Sequence, residues 1–365
     1  MRQTRWAVPG RETRAFEYCA GALQVLVVDG RTLLAGMYCA EEGYQRVDLR
    51  DASTGEVVDV HGLGDKEWWH DPAEHFTGFT WQGSTFVLHI TGRPRGCRVL
   101  RVTRDGFESV GHVVPGPADD DSFIDAVAPA DLDGQLAILT CEFDNPSRTA
   151  TFRDGIGHDD RTLGSWSVPE GWKCFRLVTT GERSYAWLEF HVPEETPPEE
   201  RWRVADTYGR WLWDVTSGVP VGAPLLVRGF DRGVWGLNGR PVALFEVRGR
   251  RDCQVWDLAR REPLGPGLGG DLGLSHPQVG LVHGRAVLAG TAQDSLRVRD
   301  IGTGRLLGTT DLPDAPIATA IGPDGTVWAI TRTGYVGSLT VSPAQVHPST
   351  VRRQGRAPSG DTAMR

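Results

Sequence analysis

Lysine is almost missing from this chain: of its 39 basic side chains only Lys66 and Lys173 are lysine, and the rest are arginine. That bias is the compositional mark of a GC-rich bacterial genome. Long apolar runs are missing too. No stretch reaches the ~18 apolar residues of a membrane-crossing helix, so no such span is expected. The opening residues 1–10 are charged, carry Trp6 and Pro9, and lack the apolar centre of a secretory signal. The six cysteines are scattered with no C-x-x-C pair, which points to reduced thiols and a cytoplasmic location. Excess positive charge is absent. A formal net charge of -8 argues against sequence-independent nucleic-acid binding and against an anionic membrane surface.

Several catalytic signatures are absent as well. There is no G-x-x-x-x-G-K-[ST], no H-E-x-x-H and no G-x-S-x-G. Gly265–Gly273 does match the bare G-x-G-x-x-G pattern, but it opens no helical pattern and reads as a connector. No motif asks for a cofactor. Helical periodicity over any length is lacking, which excludes a helical solenoid.

What is present is a repeat. A turn containing glycine followed by a β-rich apolar run occurs seven times, at Gly30, Gly83, Gly134, Gly181, Gly239, Gly284 and Gly325, with steps of 53, 51, 47, 58, 45 and 41 residues. Six of these glycines follow Asp, Gln, Thr or Asn, and Gly284 follows His283. This is the chemistry of a hairpin turn with positive φ. A second pattern follows several hairpins: Arg50-Asp51, Trp213-Asp214, Trp256-Asp257 and Arg299-Asp300, the last three aspartates 43 residues apart. Small turns such as Ser53-Thr54-Gly55, Thr216-Ser217-Gly218 and Gly302-Thr303-Gly304 come next, then a short apolar strand.

Each unit therefore offers four strands. In the sixth they are read as Gln278–His283, Arg285–Gly290, Ser295–Asp300 and Arg305–Thr309. Such a unit cannot bury both faces alone, but radially stacked units close on one another. The expected architecture is all-β: a seven-bladed β-propeller of four-stranded antiparallel blades over residues 1–342. The last unit supplies only three strands, near Ile317–Ala320, Val327–Thr331 and Gly337–Val341. A fourth is needed to cover its edge, and Arg5-Trp6-Ala7-Val8 is the segment without another partner. The ring is expected to close by pairing it there. Residues 343–365, rich in Gly, Ser, Pro and Arg, are expected to form a disordered tail.

The Trp213-Asp214 and Trp256-Asp257 dipeptides, their turns and their spacing resemble the WD-repeat β-propeller family. Blades four to six are similar to repeats of actinobacterial members. The resemblance covers roughly residues 5–342 and implies an interaction platform. The chain departs from the family in lacking its Gly-His pair, with only Ser275-His276 near it. Arg50 and Arg299 replace the tryptophan, and blades two and three offer only Arg104-Asp105 and Arg153-Asp154. The family's buried Asp–His–Ser/Thr–Trp network is accordingly expected to be missing or partial.

In this family the loops between blades share one face with those joining strands two and three. The longest irregular segments fall on such loops. Between blades one and two lie Trp68, Trp69, His70, Asp71, Glu74 and His75. Asp119-Asp120-Asp121 lies between blades two and three. Glu142 starts a loop in blade three. Blade four carries an insertion from about Phe190 to Asp206, with Glu189 and His191 at its start and Trp202 within it. As binding groups, Trp68, Trp69, His75 and Trp202 would stack on or anchor a partner; the alternative is that they plug the blade edge. His70 with His75, or the three aspartates, could hold a metal, but the spacings match no metal signature and no metal is expected.

Two functions follow. One is a monomeric scaffold whose acidic, aromatic rim binds a protein or basic peptide. The other is a small-molecule enzyme of a biosynthetic pathway (a cyclase, lyase or hydrolase) with its substrate in the central funnel. His70, Asp121, Glu142, Glu189 and His191 would then be the acid/base groups.

Overall fold

The computed structural model describes residues 5–7, 22–39, 44–65, 76–91, 96–113, 124–142, 149–156, 161–181, 183–190, 197, 200, 209–226, 229–247, 252–268, 275–331 and 335–343. Every named element among them is a strand, and the strands form seven four-stranded sheets. Blade 1 is β2 (Ala22–Val28), β3 (Arg31–Cys39), β4 (Tyr44–Asp51) and β5 (Val57–Asp65). Blade 2 is β6 (Phe76–Trp81), β7 (Ser84–Thr91), β8 (Gly96–Val102) and β9 (Phe107–Val113). Blade 3 is β10 (Ile124–Leu132), β11 (Gln135–Glu142), β12 (Thr149–Asp154) and β13 (Thr162–Ser167). Blade 4 is β14 (Trp172–Thr180), β15 (Arg183–Phe190), β16 (Arg210–Asp214) and β17 (Val219–Pro220). Blade 5 is β18 (Gly229–Leu237), β19 (Arg240–Val247), β20 (Cys253–Asp257) and β21 (Glu262–Pro263). Blade 6 is β22 (Ser275–Val282), β23 (Arg285–Ala292), β24 (Ser295–Asp300) and β25 (Leu306–Asp311).

Blade 7 has three strands of its own, β26 (Pro316–Ile321), β27 (Thr326–Thr331) and β28 (Tyr335–Thr340). Its fourth is β1 (Arg5–Ala7), which pairs antiparallel with β28 in the register Arg5↔Gly337, Trp6↔Val336 and Ala7↔Tyr335. The ring is closed as the missing strand required. The strands exceed the sequence-read limits by one to three residues at several ends. In blade 6, for example, β22 starts at Ser275 and β25 runs from Leu306 to Asp311.

The seven repeated glycines each sit where the first strand of a blade turns into the second. Asp29-Gly30, Gln82-Gly83, Asp133-Gly134, Asn238-Gly239 and His283-Gly284 have positive φ at both positions, as a two-residue hairpin of matching twist demands.

The core lies between the blades. Each buried apolar cluster joins one blade to the next; Trp187 and Leu212 of blade 4, for instance, meet Ala243, Phe245 and Leu258 of blade 5. Side-chain hydrogen bonds cross the same seams. Gln24 donates to the Phe76 carbonyl, Trp81 to Asp131, Thr180 to the Gly239 carbonyl and Trp235 to Gln278. The seam closing blade 7 on blade 1 is an apolar cluster of Leu23, Leu34 and Ala52 with Ile317, Trp328 and Val336. Cys97, Cys141, Cys174 and Cys253 are free, buried thiols, and burial pushes those of Cys97 and Cys253 up.

The aspartate of the repeated dipeptide has a defined task. Its Oδ1 accepts backbone N–H groups of the turn between the third and fourth strands: Ser53 and Thr54 on Asp51, Ser217 on Asp214, Arg260 on Asp257, Thr303 on Asp300. Its Oδ2 faces an arginine that closely follows the hairpin glycine: Arg31 with Asp51, Arg183 with Asp214, Arg240 with Asp257, Arg285 with Asp300. Blade 3 has a neutral version, with Gln135 donating to Asp154 at 3.1 Å. Arg50 and Arg299, standing at the tryptophan position, donate to the carbonyls of Gly55 and Gly304 and tie down the same turns.

Candidate functional site

The two edges of the ring differ. At the lower edge the strands are joined by the glycine hairpins and the aspartate-capped turns. At the upper edge the first and third strands of a blade begin and the second and fourth end, as the antiparallel registers dictate. The connections 66–75, 114–123, 143–148 and 191–209 all leave from this edge.

Blade 4 carries the longest of these connections, and its described upper-edge residues form a network on both faces of the sheet. Strand alternation sorts its side chains to two faces. On the face toward blade 5, Lys173, Glu189 and Arg210 are successive cross-strand neighbours on β14, β15 and β16. Glu189 is half-buried and lies between two cations, with Arg210 Nη2 at 3.3 Å and Lys173 Nζ at 3.7 Å. One turn of the pleat lower, Trp187 is fully buried and donates its indole N–H to Asp231 Oδ2 at 2.9 Å. Arg210 Nε reaches the same oxygen at 3.2 Å, and Arg176 Nε lies 3.9 Å from Asp231 Oδ1. The Asp231 side chain is 2% exposed, so this carboxylate depends on its two donors, Trp187 and Arg210, and on the nearby Arg176 charge. It stands beside a bulge in β18 between Asp231 and Gly233. A Cβ on Gly233 would lie 2.3 Å from the Trp235 ring, so a larger residue there would have to displace that ring.

On the opposite face, toward blade 3, the residues between those charges are aromatic. Trp172 of β14 meets Phe190 of β15 edge-on and Trp211 of β16, with centroids at 5.8 and 5.2 Å. Trp211 meets Trp213 edge-on at 4.8 Å, and Trp213 reaches Trp166 of blade 3 at 5.6 Å. Trp211 donates its N–H to the Gly222 carbonyl at 2.8 Å. The two sides of the insertion, ending at Phe190 and resuming by Arg210, are therefore fixed by charge on one face and by stacked rings on the other.

Of the sequence-derived candidates, Glu189 stands in this network. Glu142 ends β11, its backbone paired with Ile124. Trp68, Trp69, His70, His75, Asp121, His191 and Trp202 lie outside the described residues. Lys173, Arg210, Asp231 and the tryptophans 166, 172 and 211 were not singled out by the sequence reading. The alternation of Trp211 and Trp213 signals one shared face, but nothing in the linear chain signals that Asp231 of the next blade meets Trp187. Among the described residues no three His, Cys, Asp or Glu side chains are grouped to hold a metal ion.

No protein-family model and no curated protein matches the chain. Solved structures do. The Cps50 (Swd1) β-propeller domain of Myceliophteria thermophila is 13% identical, with a TM-score of 0.56 over 93% of this chain and 100% of that one. BamB from Moraxella catarrhalis is 11% identical, with a TM-score of 0.43 over 87% and 83%. The likeness to the first is one of fold, and the chain is a β-propeller of seven four-stranded blades.

Proposed function

We propose that the chain is a WD-repeat-type scaffold that binds a protein partner at its upper edge. The observation that carries this reading is the asymmetry of the two edges. Among the described residues the lower edge carries the glycine hairpins and short capped turns, while the longest connections start from strand ends at the upper edge of a rigid frame. Propellers hold variable loops on such a frame, and loops on rigid scaffolds are where binding residues concentrate. Glu189 supports this reading over a catalytic one: its carboxylate is engaged by Lys173 and Arg210 and anchors the insertion's stem. A net charge of -8 suits a basic partner surface in the cytoplasm.

The test is photo-crosslinking in cells of the source organism. One probe replaces Glu200, at the exposed upper insertion, and another replaces Asp133, in a lower hairpin. A defined protein adduct from position 200, absent at 133 and lost in a Trp69→Ala/His70→Ala background, is the expected result. Adducts from position 133 alone, or from neither position, would overturn the reading.

A further inference from the structure

The central channel holds a cavity of about 350 Å³ between blades 5, 6, 7 and 1. It is lined by half-buried aliphatic side chains, Val25, Leu281 and Ile321, by Gln24 and Gln278, and by Gly236, Gly280 and Gly322. No lining residue is charged, in a chain that is 24% Asp, Glu, Lys and Arg.

The strands bordering it, β2, β18, β22 and β26, are each the terminal strand of their sheet and pair on one side only. Their other edges carry backbone N–H and C=O groups with no strand partner. The glycines show which way those edges face. A Cβ on Gly236 would point at Thr179 and Thr180 of blade 4, and one on Gly280 at Ile321 of blade 7. At these two positions side chains run sideways into the neighbouring blades, which leaves the main-chain edge there turned toward the channel.

We infer that this cavity is a binding site for a small neutral molecule with amide groups on an aliphatic body. The strand edges offer donors and acceptors at peptide spacing, which an amide N–H and C=O satisfy together. The aliphatic side chains accept the body. A charge is disfavoured, because nothing in the lining pairs with it and burying it alone is costly. The volume lies at the small end of the ~300–1,000 Å³ typical of such sites. This site is separate from the upper-edge surface and stands or falls independently of it.

The test uses two probes that differ by one charge, N-acetyl-leucinamide and N-acetyl-leucine, titrated into the full chain labelled with ¹⁵N-glycine. The expected result is movement of the Gly236, Gly280 and Gly322 amide resonances with the amide, and affinity weaker by about tenfold or more for the carboxylate. Gln278→Glu keeps an acceptor for the Trp235 N–H (3.1 Å in the wild type) while adding a charge to the lining. It is expected to lose amide binding with its blade 5–6 packing intact, which unchanged glycine resonances outside the channel would report. Equal response to both probes, no movement of these three glycines, or movement confined to glycines elsewhere would overturn the inference.

Discussion

The indole N–H of Trp187 in blade 4 meets the carboxylate of Asp231 in blade 5 at 2.9 Å, and both side chains are buried. The bond crosses a blade seam and has Arg210 as a third member. Removing the carboxylate strands a buried indole N–H and takes an anion away from Arg210 and Arg176. Asp231→Ala is expected to cost about 3–5 kcal/mol in urea unfolding, with Trp187→Phe costing less. A double-mutant cycle should return a coupling of about 1 kcal/mol or more. Additive effects would mean that the two residues stabilise the seam separately.

Asp51 sets an acid limit on the lower edge of blade 1. Burial alone raises its carboxyl pKa, but hydrogen bonds from Ser53, Arg31 and Thr54 outweigh burial and hold it well below the ordinary 3.8. A carboxylate depressed in the fold stabilises above its unfolded value and loses that contribution as pH falls through the folded one. Asp51→Asn should lower stability at pH 7 and flatten the loss of stability below pH ~4. The measurement is a series of denaturation midpoints from pH 7 downward. An unchanged acid slope in the variant would reject the assignment.

A second pH response belongs to the seam between blades 1 and 2. His61 lies 3.3 Å from Arg98 Nη1, and burial, with the Arg98 charge, lowers its pKa from 6.5 despite nearby Asp59. The neutral ring is the folded form. The stability it lends is complete above pH 6.5 and fades as pH falls through the lowered value. His61→Gln should reduce the loss of stability that sets in as pH falls below 6.5, without touching the acid limb set by Asp51. Differential scanning fluorimetry across that window separates the two.

Ring closure rests on three residue pairs between β1 and β28. Deleting residues 1–7 leaves β28 as an open edge beside the apolar blade 7–1 seam. The expected outcome is a lowered Tm and concentration-dependent association in light scattering, because an unpaired strand edge templates pairing with another chain. A monomeric variant of unchanged Tm would show that the ring holds without its clasp.

The glycine hairpins were legible because a two-residue turn of the right hand needs positive φ, and Asp29-Gly30 or Asn238-Gly239 announce it locally. The aspartate turns were legible for a similar reason, since Asp300 and Thr303 cap one turn within four residues. The stem of the blade 4 insertion was only half legible. Glu189 stood out at a strand end, but its partners Lys173 and Arg210 come from strands on either side, 16 and 21 residues away.

By itself the sequence determined the number of blades, their four-strand make-up and the need for an N-terminal clasp. The first two follow from short-range turn chemistry repeated along the chain every 41 to 58 residues, and the third from the strand missing in the last repeat. Only the tertiary structure decided which arginine faces which aspartate, which tryptophans stack, and that Trp187 hands its N–H to the next blade. Those contacts depend on how neighbouring sheets are rotated and staggered around the ring. That geometry is set by packing across the seams, and no local pattern in the chain encodes it.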